Sequence, residues 1–142
     1  MLKNIDPLLG PELLGILRAM GHGDEIAIVD ANFPAESSGP ELIRADGHAA
    51  TRMLEAVLSV MPLDEFVEEP AIRMEVVGQP TRMEPIMEEF KSIIARHEPK
   101  ARMGSLERFA FYDRVRGAFA VISTGEARLY GNIILKKGII RP

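Results

Sequence analysis

The sequence contains no cysteine and no tryptophan. Without thiols it can form neither a disulfide nor a thiolate metal site. It has no excess of basic charge: 17 Lys and Arg stand against 21 Asp and Glu, a formal net charge of -4. The basic stripe expected of a nucleic-acid binder is therefore missing. No apolar run is long enough to span a bilayer. The opening stretch, MLKNIDPLLGPELL, carries an acid and two prolines where a signal peptide would have its apolar centre. The expectation is a cytoplasmic protein. Several familiar chemistries are absent as well. His22, His48 and His97 fit no standard metal-ligand spacing. There is no Walker loop, and GHGDE lacks the third glycine of a dinucleotide fingerprint and precedes a strand instead of following one. No GxSxG elbow occurs. Ser37 and Ser38 fall in a loop with no evident activating base. Neither a metal nor a cofactor is expected.

What remains is an ordinary globular composition, 46% apolar and 27% charged, on a chain of 142 residues that fits one domain, 1–142. Periodicity predicts alternating helices and strands. GPELLGILRAMGHG reads as a helix with Pro11 in its first turn, Leu13, Leu14, Leu17 and Met20 on one face, and Gly21 as its stop. EIAIVD reads as a strand buried on both faces. ELIRAD is a weaker strand. His48 to Met61 reads as a helix ended by Pro62. AIRMEVV alternates, with Ile72, Met74 and Val76 opposite Arg73 and Glu75, which predicts a half-exposed strand. A helix is expected from Glu84 to His97, and a short one in LERFAFYDRVRGA. AFAVIST reads as a buried strand, TGE as a turn, and NIILKKG as a last strand. The pattern predicts an α/β fold: a single three-layer α/β/α domain around a central mixed sheet. In such sheets ligands sit at the carboxyl ends of strands, and Asp30 stands at one.

Each polar candidate has a bland reading beside the chemical one. His22 fits a helix C-terminus, where the macrodipole favours it; flanked by Gly21 and Gly23, it can also stay accessible on a sharply bent backbone. Asp30 is either a turn former or an acceptor for a polyol. Asp24 and Glu25 read as solvated turn residues. Arg108 and Tyr112 share a helical face, and an exposed arginine stacked on a tyrosine is the simpler reading of that spacing. Phe109 and Phe111 read as core. Tyr130, Gly131 and Asn132 form a turn in which hydroxyl-binding groups could sit on a close backbone. Asp64, just after Pro62, is most simply the cap of a following turn.

Five blocks, GHGDEI, DANFPA, IRADG, ERFAFYDR and TGEARLYGNIILKKG, together resemble the fucose-type branch of the fucose mutarotase and D-ribose pyranase family. The resemblance spans essentially the whole chain, in order. Gly23 matches the fucose-type branch, where the pyranase branch usually has threonine. The resemblance implies that His22 is a catalytic histidine and that Tyr112 takes part in catalysis. It implies that Asp30, Arg108, Tyr130, Gly131 and Asn132 bind the sugar, with Asp64 a further binding residue. It also implies a homo-oligomer, commonly a decameric ring, with sites at subunit contacts. One departure stands out: Glu36 and serines follow the FPA segment where many relatives have histidine.

These residue types suit the implied chemistry. To exchange anomers, a sugar ring opens as the anomeric hydroxyl loses a proton and the ring oxygen gains one. The carbonyl rotates and the ring closes on its other face. Imidazole is the side chain whose ordinary titration lies nearest neutrality, and acid–base assistance is typically worth about 10²–10⁴-fold. The expected function is L-fucose mutarotation. Pyranose–furanose interconversion of ribose and non-catalytic sugar binding on the same fold are the alternatives. Retention of His22, Asp30, Arg108 and Tyr112 together favours the enzyme.

Overall fold

In order along the chain lie α1 (Pro11–Ala19), β1 (Glu25–Val29), α2 (Ala35–Ser38), β2 (Glu41–Ala45), α3 (Ala50–Leu58), β3 (Ala71–Met74), α4 (Pro85–His97), β4 (Met103–Leu106), α5 (Arg108–Arg116), β5 (Ala120–Thr124) and β6 (Ile133–Lys136). The structure, a computed structural model, describes residues 1–142. The strands make one six-stranded sheet in the order β2-β5-β1-β6-β3-β4. β1 and β2 each pair parallel with β5, and β3 pairs parallel with β4. Only β6 runs the other way, antiparallel to both β1 and β3. The sheet is therefore mixed, and one antiparallel strand joins two parallel groups.

Side chains alternate between faces along a strand, and here the alternation feeds two cores. Ile26, Ile28, Ile122, Ile133 and Leu135 pack into a cluster of 28 buried residues with α1, α3 and α4. Ala27, Val29, Val121 and Ile134 pack into a cluster of 10 that includes Phe33, Phe111 and Val115 beside α2 and α5. The continuous apolar runs in EIAIV, AVIS and IIL follow from this, because both faces are covered. Phe90 and Phe111, each fully buried, anchor one core apiece, and removing either ring would cost about 3–5 kcal/mol.

Several expectations change. The segment 71–77 is not half-exposed: all four residues of β3 are buried, Arg73 among them. β4 covers its edge, and Arg73 donates to the carbonyls of Met74 and Pro80 instead of reaching solvent. β4 itself, MGSL, has no apolar pattern to announce it. α2 is a single turn in which Ser37 and Ser38 both donate to Pro34 O, so these serines are not in an open loop. α3 stops at Leu58, before Pro62 is reached. Thr124 closes β5, Gly125 and Glu126 form no turn, and the turn falls at Leu129 and Tyr130. Phe109 is exposed while Phe111 is core. Glu25 is no turn residue: it lies in β1 and grips Arg114 at 2.6 Å.

Candidate active site

The candidate residues gather at two opposite ends of the sheet. At the amino end of β1 stands His22. α1 finishes at Ala19, so His22 is not its C-terminal residue, and the positive φ in this loop belongs to Gly23, at 87°. A side chain at position 23 would be strained there. Lys137, just past β6, performs the capping that the sequence offered to His22. Its ammonium donates to Leu17 O at 2.7 Å and Met20 O at 2.5 Å. Its backbone carbonyl accepts from Gly23 N and its N–H donates to Asp24 O, both at 2.8 Å. Asp24 is structural too, because its carboxylate accepts from Gly21 N at 2.7 Å. The GHGD loop is thus stitched to the end of β6.

The same strand end positions Asp64, whose N–H donates to Lys136 O at 3.0 Å. Asp64 Oδ1 lies 2.9 Å from His22 Nε2 and also accepts from Phe66 N at 3.0 Å. The turn-capping role expected of Asp64 is real, and the histidine shares the same oxygen. The Asp64 side chain is 5% exposed, that of His22 45%. Burial, the largest single influence, would raise the Asp64 carboxyl; the bonds from His22 and Phe66 together outweigh it and hold the group below the usual carboxylate range. An ionised carboxylate only accepts, so Nε2 carries the proton and Nδ1 is the nitrogen left for other work. Phe66 completes this end, its ring centroid 5.4 Å from that of His22.

At the carboxyl end of β1 lies Asp30, 4% exposed. Its N–H donates to Asn132 Oδ1 at 2.9 Å, and Asn132 Nδ2 returns a bond to Asp30 Oδ2 at 3.0 Å. Asn32 N donates to the other carboxylate oxygen. Burial dominates these bonds and pushes the Asp30 carboxyl above its ordinary value. Tyr130 takes a left-handed conformation, φ 63°, and its hydroxyl accepts from Val77 N. Gly131 is required by space: a Cβ there would fall 2.8 Å from Glu126 Cγ and 3.0 Å from Ile86 Cδ1. Tyr112 stands edge-on to Phe33 at 5.2 Å. Arg108 stacks on Phe109, not on Tyr112, with its guanidinium carbon 4.5 Å from the ring centroid. Its Nε is buried with no hydrogen-bond partner in the chain.

The two ends are held apart by β1. Five residues at about 3.3 Å each give roughly 16 Å, more than the side chains can bridge. The register agrees, since Glu25 pairs with Lys136 and Ile28 with Ile133. Cavities follow the same division. One of about 370 Å³ touches Asp64, and a separate one of about 330 Å³ touches Tyr130. A third groove, about 380 Å³ between α1 and the C-terminal segment, touches no candidate residue. No three His, Asp or Glu side chains are grouped so as to hold a metal ion.

Residues 3–140 match the RbsD / FucU transport protein family. The chain belongs to this family. The fucose mutarotase of Homo sapiens is 49% identical over 145 residues, covering 98% of this chain and 94% of the relative. The crystal structure of the Streptococcus pneumoniae fucose mutarotase in complex with L-fucose superposes with a TM-score of 0.91 at 40% identity, covering 99% of this chain and all (100%) of that one. The Bacillus subtilis RbsD complexed with D-ribose, at 23% identity and a TM-score of 0.73 over 99% of this chain and 100% of that chain, shares the fold. Of the side chains that hold or border His22 and its loop, the sequence pointed to Asp64 but not to Lys137 or Phe66. LKKG offered only a strand signal, and nothing in DEFVEE marked Phe66.

Proposed function

We propose that this chain is a sugar mutarotase that interconverts the α and β anomers of L-fucose, and that it works in the cytoplasm as a ring of identical subunits. The supporting observation is the pair formed by His22 and Asp64. A buried, ionised carboxylate fixes one imidazole nitrogen and leaves the other free beside an open surface, which is how a histidine is oriented for proton transfer. In this reading His22 Nδ1 exchanges a proton with the sugar at one of its two reacting oxygens, and the Tyr112 hydroxyl serves the other. Asp30, the Tyr130–Asn132 turn and Arg108 hold the remaining hydroxyls. The unpartnered Arg108 Nε is a donor waiting for an acceptor.

One chain cannot close this site, because its halves face away from each other. A second copy, joined head to tail, brings the His22 end of one subunit against the Asp30 end of the next. Head-to-tail contacts close into rings, and ten copies, the decamer, is the number we propose. Exposed apolar side chains at both ends support such a contact: Ile139 and Ile140 at one, Val77, Phe109 and Leu129 at the other. Covering apolar patches of this kind favours association. Asp64 acts through His22, as a positioning residue.

The test is saturation-exchange NMR on L-fucose. Irradiating one anomeric proton should deplete the other faster with protein than in buffer, and His22→Ala should abolish the gain. Faster exchange only with D-ribose would assign the pyranase activity instead. Saturation passing from protein to sugar without exchange would make the chain a binding protein.

A further inference from the structure

We propose that Phe66 selects the substrate by its C5 substituent, its exposed ring face forming an apolar seat for the methyl group of a 6-deoxyhexose. This rests on the mutarotase reading of the His22 site.

Phe66 is 62% exposed, and it projects from a run that is otherwise mostly acidic, Asp64-Glu65-Phe66-Val67-Glu68-Glu69. Its position is not free. The Phe66 N–H donates to Asp64 Oδ1, the same oxygen that holds His22 Nε2. One carboxylate therefore holds both the imidazole and the backbone that carries the phenyl ring, and the two ring centroids are 5.4 Å apart at 52°. Arg141 steadies the phenyl ring as well, its guanidinium carbon 5.7 Å from the centroid, and is itself anchored by Glu65. Val67, 36% exposed, continues the apolar surface. The ring is thus fixed at the border of the imidazole and open to whatever the imidazole serves.

Sugar hydroxyls are met by hydrogen-bonding groups, of which the Asp30 end holds several. A fixed phenyl face instead recognises a part of the sugar that has no hydroxyl. In a 6-deoxyhexopyranose that part is the methyl on C5, the carbon bonded to the ring oxygen. An apolar contact of one methyl discriminates by about 10-fold or more, and a phenyl face also disfavours a hydroxyl it cannot pair.

Three sugars isolate the C5 group, because their other ring centres match: L-fucose carries methyl, L-galactose hydroxymethyl and D-arabinose hydrogen. Exchange NMR on the full-length wild type, Phe66→Ala and Phe66→Tyr would give kcat and KM for each. The expected result is a KM for L-fucose raised about 10-fold in Phe66→Ala, with D-arabinose nearly unaffected, the pH profile unchanged, and the loss rescued in Phe66→Tyr. An equal loss for all three sugars, a changed pH profile or a dissociated ring would show that Phe66 only supports His22 or the subunit contact, and would overturn the proposal. An unaffected KM would overturn it too. A nuclear Overhauser contact from phenyl protons to the fucose methyl, absent in Phe66→Leu, is read without turnover. It separates failure of this seat, in which exchange persists without the contact, from failure of the mutarotase reading, in which exchange is missing.

Discussion

His22 Nε2 and Asp64 Oδ1 lie 2.9 Å apart across 42 positions of sequence, joined because both flank the end of β6. The Asp64 carboxyl is held below its ordinary range by its hydrogen bonds despite burial, which would raise it. A lowered folded value stabilises the fold above the ordinary carboxylate value, about 3.9. That contribution is lost as pH falls through the folded value. Asp64→Asn should therefore flatten the acid side of a plot of melting temperature against pH. It should also lower kcat for anomer exchange by roughly 10²-fold, since the imidazole loses its fixed tautomer. Thermal melts between pH 6 and 3, beside exchange rates at pH 7, read both effects.

Lys137 caps α1 and pins the loop that carries His22. Lys137→Met keeps most of the stem but leaves Leu17 O and Met20 O without their cation. The expected cost is about 1–3 kcal/mol of stability. Because the lysine's ammonium is engaged by these two carbonyls, kcat should fall about 10-fold through misplacement of His22 while KM moves little. Denaturant titration and the kcat–KM split check this together.

At the other end, Asn132 exchanges two bonds with Asp30. Asn132→Leu leaves a buried N–H and part of a carboxylate unpaired, at about 2–3 kcal/mol. Burial already raises the Asp30 carboxyl, and losing the Asn132 bond raises it further. A raised folded value gives stability that is fully present below the ordinary value and lost as pH climbs through the folded one. The deficit of Asn132→Leu should accordingly be largest at neutral pH and shrink toward pH 4. Urea midpoints at several pH values measure it.

Much of the fold was legible because two cores demand long apolar runs. EIAIV, AVIS and IIL could hardly be anything but buried strands, and the stripes of α3 and α4 showed their faces. Arg73 departs from the alternation because an alternating strand shows an exposed face only if nothing covers it; here the segment through Pro80 and Met83 and the start of α4 close over that face, and nothing in the sequence placed them there. The candidate set of site residues came from resemblance, while spacing alone left each with a simpler explanation. The strand EIAIV already separates His22 from Asp30, but the partners at each end were not legible, because they follow from the antiparallel entry of β6, which returns Asn132 to Asp30 and Lys137 to Gly23. Lys137 could not be singled out from its neighbour Lys136 by sequence.

The most direct measurement of the two-chain site mixes variants disabled at opposite ends. His22→Ala and Tyr112→Phe subunits, each inactive alone, would be unfolded together, refolded as mixed rings and assayed for L-fucose anomer exchange. A site that takes its histidine from one copy and its tyrosine from the next is intact wherever the random order is right. Activity should then return to about one quarter of the wild-type rate. Mixed rings that form, as shown by mass, yet stay at the buffer rate would contradict the site spanning two chains.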